Sequence, residues 1–544
     1  MSSKLEADIV IIGAGSAGCV LAERLSEDPA VQVLLLEAGT RGSSMLNDTP
    51  AMTVKLIGNP QTDWNHVAEP DPTLNGRAVG WAAGKMLGGS SAINGLVYIR
   101  GLQRDYNDWA REGCSGWAWN DVEPYFKKAE GYADDGHESL GRNGPYALSR
   151  IRSVHPLTHK FVEACAQIGL ETLDDYNSGD REGAYVNLTS QRIGRRASTA
   201  NTYLKLAEGR SNLRVISGAL VDKVLFANDH VDHSRVDGGR ASGVRARIGN
   251  EWVTVTAKRE VLLSAGSIQS PAILLRSGIG PAEQLHEHGI DQQVEARDVG
   301  RNLQEHLGMG MSRFVNMPTY NSEMDPFNGL RHLINYIVSR RGPLASAAVQ
   351  GMAWLRSDEA LDAPDTHLNF FPLGIDYSTS PPSLHKKPVV SIGACVSRPF
   401  SRGEIRLRSA SPDDKPVIDF QMFQDARDFD TVVRALKSME QIFAAPALAA
   451  ASIGIVPPFD KALTDSQLDD IIRTYTGVGY HPVGTCRMGS DEHSVVDTEL
   501  RVRGVSGLRV IDASVMPRLI SANTNGTAIM IGERGADLVK RALH

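Results

Sequence analysis

In GYHPVGTCRMG, residues 479–489, one histidine, His481, stands between a Gly-Tyr pair and a proline, a few positions before Cys486. An imidazole with its ordinary pKa of about 6.5 is suited to accept a proton near neutral pH. The same residue types would also serve as a metal ligand or as a plain core histidine. A zinc site needs three or four ligands and this stretch offers one cysteine, so no metal is expected. The five cysteines (19, 114, 165, 395 and 486) are scattered and form no CxxC pair. That pattern reads as reduced thiols inside a cell and not as a disulfide framework. His155 with His159, and His286 with His288, read as exposed turns or helix faces, since no carboxylate cluster accompanies them.

A second chemistry is written at the N-terminus. The apolar run DIVII (8–12) leads into GAGSAG, where Gly13, Gly15 and Gly18 have the G-x-G-x-x-G spacing, followed by a helical SAGCVLAERLSED and a second apolar run ending on Glu37. Gly13 allows a sharp turn, Gly15 lets a pyrophosphate approach the backbone, and Gly18 lets helix and strand pack closely. The helix start at Ser16 and Ala17 offers free N–H groups to phosphates. Glu37, followed by Ala38, lies about 20 residues beyond the glycines, where a carboxylate accepts hydrogen bonds from a ribose diol and disfavours a 2′-phosphate. FAD and NAD are not separated by this unit alone.

The elements that must carry these residues belong to a large globular chain. Its 544 residues exceed what one core supports, and 42% hydrophobic with 22% charged residues is an ordinary composition. A net charge of −7 gives no reason to expect nucleic acid. The N-terminus lacks a secretory layout and no run is apolar for long enough to span a bilayer, so a cytoplasmic protein is expected, with peripheral attachment to a membrane left open.

Further segments decide between the cofactors. GKMLGGSSAINGLVYIRG (84–101), SAGSIQSPAILLRSGIG (264–280), VGRNLQEH (299–306), RPFSRGEIRLRS (398–409), the His481 stretch, GLRVIDASVMP and NTNGTAIMIGERGAD follow one another along nearly the whole chain. Together with the glycine turn they resemble the glucose-methanol-choline (GMC) oxidoreductases, a family of FAD-dependent alcohol-oxidising flavoenzymes. The resemblance implies that Gly88, Gly89, Ser90, Asn94, Gly95, Leu96 and Val97 line the flavin and that Val221 contacts the adenine. Ala265 and Gly266 are small enough to admit the adenosine half, with the helix that follows expected to begin at Ser270-Pro271. Asp512, Ala513, Asn525 and Thr527 join the same set, the last two at the start of a C-terminal helix whose dipole favours negative charge on a reduced flavin. Asn523 occupies the place of the family's second His or Asn beside the catalytic histidine, and His481 matches the base. His306, in a Glu-His pair where most relatives carry Asp-His, reads as structural or adjacent to the site. Ile93 stands where some relatives attach FAD through a histidine, so non-covalent FAD is expected.

The motifs place an α/β, Rossmann-like, discontinuous FAD-binding domain over 1–155, 205–310 and 465–544. A substrate domain, by resemblance built on an antiparallel sheet, takes 156–204 and 311–464. LRVISGALVDKVLF reads as paired strands. The expected activity is oxidation of a small, uncharged primary alcohol, with electrons passed to a quinone or other acceptor. Competing readings are an oxidase using O₂, a choline dehydrogenase, and a lyase or flavin-binding protein without redox turnover. Trp64, Tyr336, Trp354, Phe370, Phe371 and Tyr377 are the aromatic candidates for the pocket wall.

Overall fold

The computed structural model describes residues 5–42, 44–179, 182–227, 238–323, 325–376 and 383–543. Tyr377 lies outside them. The architecture is α/β and rests on two large sheets.

The first sheet has seven strands. Leu5–Ile12 lies between Val33–Glu37 and the C-terminal part of Glu251–Leu263, parallel to both, and Leu213–Ser217 extends the parallel set beside Val33–Glu37. Ile9 to Ile12 and Val33 to Leu36 are almost wholly buried, as continuous apolar runs must be when helices cover both faces. Leu508–Val510 pairs in parallel with Val261 to Leu263. The N-terminal part of Glu251–Leu263 instead pairs antiparallel with Ala241–Ile248, which pairs with Ala219–Phe226. Leu213–Ser217 and Ala219–Phe226 therefore share a sheet without pairing with each other, contrary to the reading of LRVISGALVDKVLF as paired strands. The single residue between them, Gly218, donates its N–H to Gly39 O, so the chain is tied to the end of Val33–Glu37 at the point where it leaves that strand's neighbour.

Ile12, Glu37, Leu263 and Val510 all end at the same edge of this sheet. Ligands of open α/β sheets bind outside such carboxyl ends. Helices Ser16–Leu25 and Asn525–Leu543 pack together there, with Gly532 against Ala17 and Val20, and buried Glu533 accepting from Arg24 and from the Tyr203 hydroxyl.

The second sheet has six strands in the order Ser452–Ile455, Gly310–Val315, Val389–Val396, Thr366–Phe371, Gly351–Leu355 and Gly183–Val186, every neighbour antiparallel. Val389–Val396 alternates between buried and half-buried positions, as a strand with one covered face should. The cover is helix Ala426–Ala444, capped by Asp425 and presenting Val432, Leu436, Met439 and Phe443 inward.

Candidate active site

At the sheet edge the glycine turn folds as its spacing requires. Gly13 has φ +92°, and a Cβ on Gly18 would sit 1.9 Å from Gly13 O, so helix and strand meet with no room for a side chain. Gly88 donates its N–H to Ala14 O, and a Cβ on Gly89 would reach Gly15 Cα at 2.7 Å, which lays the Gly-Gly-Ser-Ser segment directly on the turn. Ser90 points to solvent and accepts from Gly84 N–H. Glu37 accepts from Ala14 N–H (2.8 Å) and Gly39 N–H (2.7 Å), so its carboxylate also fastens the loop it serves. Burial pushes its pKa up to about 7, against the pull of those two amides.

Ser16 donates its hydroxyl hydrogen to Asn525 Oδ1 (2.6 Å), joining the N-termini of the two packed helices. Asn525 in turn donates to the Tyr146 hydroxyl. Thr527 is fully buried against Tyr106 OH, leaving its backbone N–H and not its side chain to face a ligand. Val221 is buried in Ala219–Phe226. Asp512 accepts from Gly266 N–H, Ser270 Oγ and Ser514, while Ala513 beside it stays half-buried. These bonds start the helix at Gly266, not at Ser270-Pro271 as its proline suggests; Pro271 lies inside Gly266–Arg276. Asn94, Gly95 and Leu96 form a loop that Arg196 holds and that leads into the short strand Val97–Tyr98. The buried Arg196 guanidinium donates to Asn94 O (2.7 Å) and Asn94 Oδ1 (2.9 Å), and also to Ser91 O and Thr53 Oγ1. Leu96 has φ +69°, a strained value for a leucine.

Asn523 stands two residues before the C-terminal helix, and its Nδ2 lies 3.0 Å from His481 Nε2. His481 Nδ1 lies 2.9 Å from His306 Nδ1, and the two rings meet edge to face. The tautomers follow from the far side. His306 Nε2 faces two carbonyls, Ser397 O (3.2 Å) and Ile520 O (3.0 Å), which only accept, so it carries the hydrogen. Burial lowers the His306 pKa to about 4, and the neutral ring presents a lone pair at Nδ1. His481 must then donate from Nδ1, which leaves its own lone pair at Nε2, facing Asn523. The Asn523 amide donates to that lone pair, and its Oδ1 is buried with no hydrogen-bond partner.

The backbone around His481 is equally constrained. Its N–H is donated to both Glu305 carboxyl oxygens (2.7 and 2.8 Å), Tyr480 has φ +63°, and a Cβ on Gly479 would lie 2.9 Å from His481 Nδ1. Burial first, then neighbouring His306, holds the His481 pKa well below its ordinary value, so the ring is neutral at pH 7. Cys486 is buried and donates its backbone N–H to Ser514 O. Among the described residues no group of three or more His, Cys, Asp or Glu is arranged to hold a metal ion.

Residues 7–308 and 399–532 match the N- and C-terminal parts that define the GMC oxidoreductases. The chain is a GMC oxidoreductase. It is 38% identical to the oxygen-dependent choline dehydrogenase of Brucella canis over 98% of this chain and 95% of that one. Pyridoxine 4-oxidase from Mesorbium loti superposes with a TM-score of 0.88 at 30% identity, covering 99% of both chains. A fungal aryl-alcohol oxidase superposes with a TM-score of 0.85 at 25% identity, over 99% of this chain and all of the other. This GMC oxidoreductase is accordingly an FAD-dependent enzyme acting on CH–OH donors.

The residues at the sheet edge of this GMC oxidoreductase fit that cofactor. Protein packing accounts for Gly13, Gly18 and Gly89, but not for Gly15 or Gly95: a Cβ on Gly95 would meet nothing within 4 Å, and one on Gly15 only Ser264 O at 3.9 Å. Bare backbone facing open space is what a closely approaching ligand requires. Ile93 is buried with Leu56, Met86 and Ala92. Sequence reasoning missed the grip of Glu305 on the His481 backbone, the role of His306 in choosing its tautomer, and Arg196 behind the Asn94 loop. The Glu-His pair of VGRNLQEH was the available signal for the first two; Arg196, in an Arg-Arg pair, looks like any surface arginine.

Proposed function

We propose that this GMC oxidoreductase oxidises an uncharged primary alcohol to its aldehyde, with His481 Nε2 accepting the hydroxyl proton and Asn523 orienting the hydroxyl oxygen. The observation that carries the reading is the lone pair at Nε2, fixed there by His306 and placed beside the Asn523 amide, whose buried Oδ1 has no partner. An alcohol that loses a hydride from its carbon is left with a positively polarised C–O–H, and that proton must leave in the same step or before it. Bound FAD supplies the two-electron hydride acceptor. A neutral His481 takes the proton, becoming imidazolium with Nδ1–H still donated to His306. The alcohol hydroxyl displaces the Asn523 amide from the Nε2 lone pair, and Asn523 then donates an N–H to the alcohol oxygen and holds it against Nε2; the residue cannot itself take a proton.

The cofactor set Gly13, Gly15, Ser16, Ala17, Gly18, Glu37, Ala38, Gly88, Gly89, Ser90, Asn94, Gly95, Leu96, Val97, Val221, Ala265, Gly266, Asp512, Ala513, Asn525 and Thr527 belongs to this reading, as does non-covalent attachment. So does the division into a discontinuous FAD domain and a substrate domain, supported by Gly183–Val186 sharing its sheet with Gly310–Val315 and Val389–Val396.

An uncharged substrate is favoured over a quaternary ammonium by the described aromatic candidates. Trp64 already carries Lys85 over its ring at 4.6 Å, and Tyr336 carries Arg340 at 4.6 Å. Trp354 is buried and donates Nε1–H to Ser521 O, and Phe370 stacks on Phe161, with Phe371 half-buried beside it. A cage for a trimethylammonium group needs open aromatic faces. Electrons leave to a quinone-like acceptor, with O₂ as the second candidate. Anaerobic mixing with an alcohol panel that includes choline tests the reading: bleaching of the yellow flavin by primary alcohols is expected, and bleaching by choline alone would replace the substrate class. Oxygen uptake in the same preparation separates the two acceptors.

A further inference from the structure

Helix Pro326–Ser339 is amphipathic in the inverted sense. Tyr336 is its one buried residue, and half-buried Asn328, His332 and Ser339 lie along the same side, so the polar residues face the protein. The opposite side presents Phe327 (78% exposed), Leu330, Ile334 (54%), Ile337 and Val338 (79%) to the outside. Five large apolar side chains on one exposed helix face are a contiguous patch of the kind that marks an interaction site.

The border of the patch is basic. Arg331 is exposed on its flank and Arg341 follows its C-terminus. The hairpin 191–196 abuts it, since a Cβ on Gly194 would lie 2.4 Å from Arg340 O, and the hairpin exposes Arg192, Ile193 and Arg195 at its turn. The nearby acids are already engaged: Glu323 pairs with Arg331 and His332, and Asp325 caps the helix. Among the described residues Arg192, Arg195 and Arg341 have no carboxylate partner. A basic rim on a chain of net charge −7 is a local reversal of sign.

We infer that this face docks on an anionic lipid bilayer, the helix lying in the interface plane with Phe327, Leu330, Ile334, Ile337 and Val338 among the acyl chains and the arginines at the headgroups. Apolar residues flanked by Arg on one helix face are the pattern of interfacial helices. A second copy of the chain is the poorer occupant, because a twofold contact would set the same basic rim against itself. Among the described residues no helix is long and apolar enough to span a membrane, so the contact is peripheral.

The test is flotation of the FAD-loaded enzyme with vesicles of phosphatidylcholine and phosphatidylglycerol, with phosphatidylcholine vesicles in parallel. The enzyme is expected to float with the anionic vesicles and to be released by salt. Arg341→Glu should weaken partitioning by more than the about fivefold that loss of one basic residue brings. Ile334→Glu combined with Ile337→Glu should abolish it while flavin content and oxidation of a small soluble alcohol stay at wild-type values. Enzyme that stays at the bottom of the gradient with anionic vesicles, or floats equally with neutral ones, would overturn the proposal. So would a dimer in sedimentation that the double variant splits into monomers.

Discussion

Gly13, Gly18 and Gly89 shape the proposed cofactor cradle by omitting side chains, so that strand, helix and loop backbones touch. His306, His481 and Asn523 shape the proposed reacting side through hydrogen bonds between side chains drawn from three distant loops. The first arrangement tolerates no added atom, at a local contact for Gly18 on Gly13 and at distant ones for Gly13 on Ser264 and Gly89 on Gly15. The second is constrained in its backbone too, at Gly479 and Tyr480, and depends besides on which nitrogen holds which hydrogen. Damage to the first should therefore appear as lost FAD or lost fold, and damage to the second as lost rate in a protein that still binds FAD.

His481→Ala separates the two most sharply. Reduction of the flavin by alcohol should slow by about 10²–10⁴, the range for loss of a positioned acid-base group. FAD content should hold, because the bonds of Ala14, Gly39 and Asn525 that shape the cradle lie elsewhere. A rapid-mixing trace at the wild-type rate would remove His481 from the chemistry, and simultaneous loss of flavin would make it structural.

The glycines offer a contrast within the cradle itself. Gly18→Ala forces a Cβ to within 1.9 Å of Gly13 O and should destabilise the protein by about 1–3 kcal/mol or more, with loss of FAD, in thermal melts and absorbance spectra. Gly95→Ala adds a methyl to open space, so the melting temperature of the FAD-free protein should not move. Its FAD affinity should fall nonetheless, by about tenfold if one close contact worth roughly 1.4 kcal/mol is lost. Unchanged affinity in Gly95→Ala would take that loop away from the cofactor.

Much of the cofactor side was legible because a strand, three glycines, a helix and an acid follow one another within some thirty residues and each has a local physical reason. What escaped was non-local. The helix that begins at Gly266 is started by Asp512, far along the chain, and no periodicity around Ser270-Pro271 reports that bond. Leu213–Ser217 and Ala219–Phe226, adjacent in sequence, take different partners in one sheet, Val33–Glu37 and Ala241–Ile248, so a local reading pairs them wrongly. That His481 and Asn523 meet was legible through the family pattern alone. That His306 sets the tautomer of His481 depends on two carbonyls, Ser397 and Ile520, whose convergence no spacing encodes.

His306→Ala tests that inference with an intermediate effect. Without an acceptor at Nδ1 the neutral His481 ring is free to place its hydrogen on Nε2, where it cannot accept a proton. Losing one buried hydrogen bond costs about 1–3 kcal/mol, which corresponds to a slowing of about 5- to 150-fold, smaller than for His481→Ala. His306→Gln, which keeps an acceptor, should recover part of the rate. Equal rates in both variants would mean that packing, not the hydrogen bond, is what His306 contributes.

The smallest effect concerns pH. If, as proposed, neutral His481 is the working form, its protonation stops the reaction, so activity present at high pH is lost as pH falls through the His481 pKa in the folded enzyme. Burial, aided by neutral His306, holds that pKa well below 6.5, so kcat/KM for alcohol should stay level as pH is lowered from 8 through 6.5 and decline only beneath it. In His306→Ala the cavity left beside Nδ1 admits water, desolvation is relieved, and the decline should begin at higher pH than in the wild type. A profile that already falls between pH 8 and 7 in the wild type would mean that the buried, carbonyl-anchored pair is not the group that titrates, and the separation between a backbone-built cradle and a side-chain-built reaction pocket would have to be redrawn around another base.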